Sequence, residues 1–115
     1  MPLIQSEYGG YENVASKVHI NQGVGVTVNE AKLYPNGLLY LCLTISAAYD
    51  SSGDIGTLDS DICPKTIIYP PVMKSDGGFY GAVRIRTGSN ADMRLIITNS
   101  DTTHNKVLSV TYPTY

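Results

Sequence analysis

The chain has 115 residues, the size of a single domain, and ten acidic against eight basic side chains give it a net charge of −2. Nucleic-acid and membrane-surface binders usually carry a clear basic excess, so this balance argues against both classes of function. No apolar run reaches the roughly 18 residues that span a bilayer, and we expect no membrane insertion. Nine tyrosines, eleven glycines and six prolines are typical of short strands joined by many turns, so the composition predicts an all-β protein.

The N-terminal segment, residues 1–16, shows no sustained periodicity, and we expect it to be a lead-in segment or a linker remnant. Residues 1–5 have neither the basic start nor the apolar core of a signal peptide. Residues 17–20 predict the first short strand. The sequence therefore places the folded β domain at residues 17–115.

The clearest local signal is the tetrapeptide Tyr-Pro-Asn-Gly at residues 34–37. Proline presets φ for the second position of a type I turn, and glycine accepts the positive φ that closes it. A three-residue hairpin loop then pairs Leu33 with Leu39 and, further out, Asn29 with Leu43. The alternation puts six apolar residues on one sheet face: Ala31, Leu33, Leu39, Leu41, Leu43 and Ile45. One hairpin cannot bury that face, so the rest of the chain is expected to supply a second sheet.

The segment before the hairpin conflicts with this register. Val24, Val26 and Val28 alternate, but their parity disagrees with that of Ala31. Either a bulge near Asn29 resets the strand, or both faces of its middle are covered.

Further strands follow at intervals of about ten residues. Residues 50–54 form a polar loop, residues 66–69 predict a strand that Pro70 and Pro71 stop, and residues 79–86 and 107–112 predict two more strands. Seven or eight such strands are typical of a sandwich or small barrel. The predicted fold is a single-domain antiparallel Greek-key barrel or sandwich.

The hairpin after residue 79 brings several arginines together. A three-residue loop at residues 88–90 pairs Ile85 with Met93, which separates apolar from charged positions. Arg84, Arg86 and Arg94 then share one face. Three guanidinium groups repel one another unless an anion intervenes, so a nearby aspartate, a partner subunit or an anionic ligand is expected there; a solvated face is the alternative.

The sequence offers little catalytic or metal-binding chemistry. It contains no nucleophile-elbow motif and no paired cysteine–histidine spacing, so we predict no enzyme activity, no metal and no cofactor. Loop aspartates such as Asp54 could ligate calcium, but their spacing does not match an EF-hand and turn formation explains them. Cys42 and Cys63 are expected to be reduced. Tyrosine rings near loops, at Tyr49, Tyr69 or Tyr80, could stack on sugars, although packing explains each of them as well.

The order of several motifs resembles that of the C-terminal head domains of receptor-binding proteins from tailed phages of Gram-positive bacteria, such as lactococcal siphophages. The resemblance covers residues 17–115. It rests on the Gly-Val-x-Val strand of residues 18–28, the Tyr-Pro-Asn-Gly-Leu turn of residues 34–38, Ile-Gly-Thr-Leu at 55–58, Gly-Ala-Val-Arg-Ile at 81–85 and Leu-Ser-Val-Thr-Tyr-Pro at 108–113.

This resemblance implies a Greek-key β-barrel that assembles as a homotrimer at the tail tip of the virion and binds host cell-wall saccharide. Other tail or baseplate proteins would be its neighbours. The alternative is a structural tail or baseplate component that binds protein partners without recognising sugar. No binding residue carries over by motif, so we select loop-adjacent polar and aromatic residues as candidate saccharide contacts: Tyr49, Asp50, Asp54, Asp76, Tyr80 and His104.

Overall fold

The computed structural model of the chain describes residues 10–88 and 91–114. Within them the chain forms nine β-strands and two 3₁₀ turns, at Ala15–Lys17 and Ser60–Ile62. The strands are β1 (Glu12–Asn13), β2 (Val18–Ile20), β3 (Val26–Leu33), β4 (Leu38–Ile45), β5 (Gly53–Leu58), β6 (Pro71–Lys74), β7 (Phe79–Ile85), β8 (Ala91–Ile97) and β9 (Lys106–Pro113). The all-β prediction is confirmed, and no helix of the described residues is long and apolar enough to cross a membrane.

All nine strands belong to one antiparallel sheet with the order β1-β3-β4-β9-β6-β7-β8-β5-β2. The sheet curls into a half-barrel, so the apolar face of the β3–β4 hairpin is covered by distant strands of the same sheet and not by a second one. Strands β6, β7 and β8 follow one another as hairpins, and β9 returns through residues 98–105 to lie beside β6. This 9-6-7-8 order is the Greek key that the strand spacing predicts.

The β3–β4 hairpin forms with the predicted register at its closed end, where Leu33 lies opposite Leu39 and Gly37 takes a positive φ of 87°. The predicted pairing of Asn29 with Leu43 is wrong. A bulge between residues 28 and 30 places Val28 opposite Leu43 instead, and the Asn29 side-chain amide donates to the Thr44 hydroxyl of β4 at 2.6 Å. The bulge resets the strand parity, which is the first of the two alternatives that the valine pattern left open.

Two other predictions concern β7 and the segments that pair with it. The β7–β8 register is confirmed, with Ile85 opposite Met93, although residues 89–90 of the connecting loop lie outside the described residues. Residues 66–69 do not form the predicted strand: only Ile68 bridges to Ile85. Pro71 was expected to help stop a strand, but it is the first residue of β6. The first position of a strand tolerates a residue without an N–H.

Part of the N-terminal segment, within residues 10–16, takes part in the fold, and residues 1–9 lie outside the described residues. Strand β1 pairs with the end of β3, and the Val14 N–H donates to the Ala31 carbonyl at 2.9 Å. Val14 is 1% exposed and belongs to the apolar core. Residues 12–14 therefore contribute to the sheet and the core, whereas the sequence pattern starts the domain at residue 17.

A buried lysine closes one end of the core. Lys106 is fully buried at the start of β9, and its ammonium donates to the carbonyls of Ala47 and Tyr49 at 3.0 and 3.1 Å. The same ammonium lies 4.6 Å from the centre of the Tyr80 ring. A buried charge needs such partners, and these fasten the β4–β5 loop to the core.

We expect Lys106→Met to lower the free energy of unfolding by about 1–3 kcal/mol, because the methionine fills the space but leaves two carbonyls without their donor. Chemical denaturation of the full chain measures the change. The same exchange at the exposed Lys65 is the control. Equal stability of the wild type and Lys106→Met would contradict the proposed fastening.

Candidate functional site

Three loops meet at one end of the half-barrel, and we call them the loop end: residues 46–52, 75–78 and 98–105. Five of the six candidate saccharide contacts lie in or directly beneath these loops: Tyr49, Asp50, Asp76, Tyr80 and His104. The structure therefore brings together five of the six residues that were selected for their positions near loops. Their surroundings show what each one does.

Asp50 forms the centre of the first cluster at the loop end. Its Oδ1 accepts the Tyr80 hydroxyl at 2.7 Å and the Asp101 N–H at 3.3 Å, and its Oδ2 accepts the Ser100 hydroxyl. The hydrogen bonds from Ser100 and Tyr80 hold the pKa of Asp50 below its usual value, whereas burial raises that of Tyr80. Tyr80 is 0% exposed, so its ring belongs to the core and is not offered to a sugar.

His104 lies in a second cluster, between two carboxylates. Its Nδ1 is 2.9 Å from Asp101 Oδ2, and its Nε2 is 3.7 Å from Asp76 Oδ2. Asp101 also accepts the Thr103 N–H at 2.6 Å and lies 3.5 Å from the Lys74 ammonium. The backbone hydrogen bond from Thr103 and the contact with His104 lower the pKa of Asp101 strongly.

The two clusters satisfy their own polar groups. Asp50 accepts hydrogen bonds from β7 and from the 98–105 loop, Asp101 accepts hydrogen bonds within its own loop, and Tyr49 is half-buried against the core. Such a network fixes the shape of loops and leaves few polar atoms to meet a ligand. We therefore assign the loop end primarily to structure.

The remaining candidate residues lie elsewhere, on the outer face of the sheet. Asp54 is the second residue of β5, with an oxygen 3.4 Å from Arg94 Nη1. Arg84, Arg86 and Arg94 form what we call the arginine stripe, and the carboxylate of Asp92 lies 3.5 Å from Arg84 and 3.6 Å from Arg86. Each guanidinium group thus meets a carboxylate of its own chain. Within the described residues, only the Nε of Arg84 is a buried side-chain polar atom without a hydrogen-bond partner.

A cleft of about 440 Å³ opens at the opposite end of the half-barrel, beside the β3–β4 turn. It is lined by the N-terminal segment, the turn, one 3₁₀ turn and the chain after β9: Gly10, Tyr11, Glu12, Leu33, Tyr34, Pro35, Gly37, Asp61 and Thr114. Pairing of β1 with β3 brings Tyr11 to Tyr34, with ring centres 5.9 Å apart and planes inclined at 56°. None of these residues is among the sequence-selected contacts.

The cleft combines aromatic faces with acidic groups. Tyr11 is 51% exposed, and the Lys32 ammonium, paired with Glu30, lies 4.5 Å from the centre of its ring. The charged side chains that line the cleft are both acidic, Glu12 and Asp61. Asp61 hydrogen-bonds Lys17, which raises the pKa of that lysine.

The described residues contain no group of three or more histidine, cysteine, aspartate or glutamate side chains placed to hold a metal ion. Both cysteines are free thiols, and burial raises the pKa of Cys63. The sequence matches no protein-family model and no curated protein at a significant level.

The depressed pKa values at the loop end predict acid sensitivity. A carboxyl group whose folded-state pKa lies below its unfolded value stabilises the fold at neutral pH, and this contribution is lost as the pH falls through the folded pKa. We expect the melting temperature to fall progressively below about pH 5. Asp101→Asn should make the melting temperature fall less steeply with decreasing pH, because the amide still accepts the Thr103 N–H but does not titrate.

Asp54→Asn, on the outer face, is the matched control for the loss of one carboxyl group. Thermal unfolding followed by circular dichroism between pH 2 and pH 7 makes the comparison. If the melting temperature of Asp101→Asn falls with decreasing pH as steeply as that of the wild type, Asp101 is not a cause of the acid sensitivity.

Proposed function

We propose that this chain is the receptor-binding head domain of a phage tail tip, which adsorbs to host cell-wall saccharide as a homotrimer. The observation that carries the proposal is the cleft, where two tyrosine rings and two carboxylates converge on one open space. The strand and turn motifs that resemble lactococcal-type head domains, and the Greek-key sheet, agree with this function.

The chemistry of the cleft fits a sugar. Tyrosine rings give a rigid apolar surface for the C–H face of a pyranose at little cost in side-chain entropy, and their hydroxyls remain available for hydrogen bonds. The carboxylates of Glu12 and Asp61 are acceptors for sugar hydroxyl groups. The turn that carries Tyr34 is held by backbone hydrogen bonds, at 2.9 Å from the Gly37 N–H to the Tyr34 carbonyl, so the platform is formed before a ligand arrives.

The charge of the cleft narrows the ligand class. The two charged lining residues, Glu12 and Asp61, are acidic, but Lys17 pairs with Asp61 and Lys32 lies over the Tyr11 ring. Charges of opposite sign therefore largely cancel at the cleft, which offers no excess of positive charge for a polymer rich in phosphate. The arginine stripe does not supply an alternative anion site, because each guanidinium meets Asp54 or Asp92. We therefore propose an uncharged saccharide. Single-site affinity for such a ligand is weak, and several linked copies increase it through avidity.

Tyr34→Ala tests the cleft. The side chain is removed while the backbone hydrogen bonds of the turn remain, and we expect affinity for soluble fragments of purified Gram-positive cell-wall polysaccharide to fall at least about tenfold. Isothermal titration with neutral and phosphate-containing fragments measures the change. His104→Gln, at the loop end, should bind as the wild type does.

If His104→Gln loses affinity for wall fragments and Tyr34→Ala does not, the ligand site lies at the loop end and not in the cleft. Wild-type protein that binds no wall fragment from any host tested would contradict saccharide adsorption. It would favour the second candidate, a structural tail component that binds only protein. An exposed apolar face on the outside of the sheet favours that candidate: Ile67, Tyr69, Met73, Phe79, Ile96 and Val107.

A further inference from the structure

A second, smaller cavity lies beside the cleft, and we call it the side cavity. Its volume is about 150 Å³, and Tyr11 is the described residue that lines both spaces. A cavity of this volume holds a molecule of about the size of benzene, so the side cavity has room for one six-membered ring. Its polar lining side chains are those of Asn13, Asn29, Glu30 and Lys32.

The Tyr11 ring divides the two spaces. The Lys32 ammonium lies 4.5 Å from the centre of this ring, and Lys32 lines the side cavity but not the cleft. Tyr34, whose ring centre is 5.9 Å from that of Tyr11, lines the cleft but not the side cavity. The β1–β3 register, which places Asn13 opposite Lys32, fixes the ring in this position. The Tyr11 ring therefore stands between the cleft and the side cavity.

The division by Tyr11 restricts the shape of a ligand that fills both spaces. One pyranose ring cannot lie on both sides of a tyrosine ring. Two linked sugar residues can, one in each space, because Tyr11 is 51% exposed and leaves its outer edge open to the linkage between them. The ligand that fits both spaces is thus a short chain of sugar residues.

The side cavity offers both kinds of hydrogen-bonding group that a sugar needs. Asn13 Oδ1 accepts the Ala15 N–H at 3.0 Å, so the Asn13 NH2 group is the donor that remains for a ligand. Asn29 Nδ2 donates to the Thr44 hydroxyl at 2.6 Å, so the Asn29 Oδ1 is the acceptor that remains. A sugar hydroxyl group both donates and accepts, and it matches such a mixed lining.

The charges of the side cavity cancel. Its cation, Lys32, pairs with its anion, Glu30. An ion pair supplies donors and acceptors without the net positive charge that a phosphate group would require. The side cavity therefore fits the same uncharged ligand as the cleft.

We propose that the side cavity is a second sugar subsite and that the ligand is a segment of at least two linked, uncharged sugar residues. One residue stacks on the tyrosines of the cleft, and the next one hydrogen-bonds to Asn13 and Asn29. This inference rests on the proposed function, because it extends the saccharide site of the cleft. It adds that the site recognises a stretch of polysaccharide chain and not a single sugar.

The length of the ligand tests the second subsite. Isothermal titration uses uncharged fragments of purified Gram-positive cell-wall polysaccharide, separated by chain length. We expect two-residue fragments to bind the wild type at least about tenfold more tightly than single sugar residues, because only the longer fragments reach the side cavity. Asn13→Asp keeps the oxygen that accepts the Ala15 N–H but removes the NH2 donor. It should lower the affinity for two-residue fragments about fivefold and leave that for single residues unchanged.

Asn36→Asp is the matched control. Asn36 Oδ1 accepts the Leu38 N–H at 3.2 Å, the same local hydrogen bond that Asn13 makes, and Asn36 lines neither space. The variant adds the same charge to the same end of the molecule and should bind fragments of both lengths as the wild type does.

Equal affinity of the wild type for single residues and for two-residue fragments overturns the second subsite, and this comparison needs no variant. A folded Asn13→Asp variant that binds two-residue fragments as the wild type does also overturns it. Failure of the proposed function has a different signature, which is a wild type that binds no fragment of any length. Binding that is independent of length but lost in Tyr34→Ala supports the cleft and refutes the side cavity alone.

Discussion

The whole structure depends on one constraint: a single sheet must bury its apolar side against itself. The described residues form no α-helix that could cover the inner face, so the sheet has to curl until its edges, β1 and β2, come within one short connection of each other. Three register irregularities, in β3, in β5 and between β6 and β7, supply local bends. At two points the strands approach so closely that only glycine fits. A Cβ on Gly56 would lie 2.3 Å from the His19 carbonyl oxygen, and one on Gly81 would lie 2.2 Å from that of Ile96.

Because the inner face of the sheet is buried in the core, only the ends and the outer face can contact other molecules. The loop end is occupied by its own contacts, because Lys106, Asp50 and Asp101 each tie one loop to another or to the core. The end beside the β3–β4 turn remains open because β1 is short: it pairs with only two residues of β3 and leaves a space beyond them. The cleft is a consequence of how the sheet closes, and its tyrosines are placed by that closure.

Local chemistry was enough to predict part of this architecture from the sequence. The turn at residues 34–37 and the β7–β8 register both follow from alternation and turn residues, which act over a few positions. The structure of residues 66–69 could not be predicted from local chemistry alone. These residues favour a strand, but their pairing depends on where β7 lies in the sheet, and only Ile68 reaches a bridge.

The candidate site was harder to predict for the same reason. Asp50 and Tyr80 have the residue types of a sugar site and lie near loops, but tertiary contacts 30 positions apart in the chain turn them toward each other. Tyr11 is brought to Tyr34 by a two-residue strand in a segment without periodicity. A tyrosine at the first position of a tight turn, followed by proline, was the one available signal, because such a ring cannot be buried by its own hairpin.

The cleft and the loop end lie at opposite ends of the strands. In the homotrimer that we propose, copies arranged around an axis parallel to the strands would present every cleft at the same end of the assembly. A cell wall meets all of those clefts at once, so weak binding at each tyrosine pair becomes a multivalent attachment. In this arrangement the loop end, whose hydrogen bonds are already satisfied, faces away from the wall.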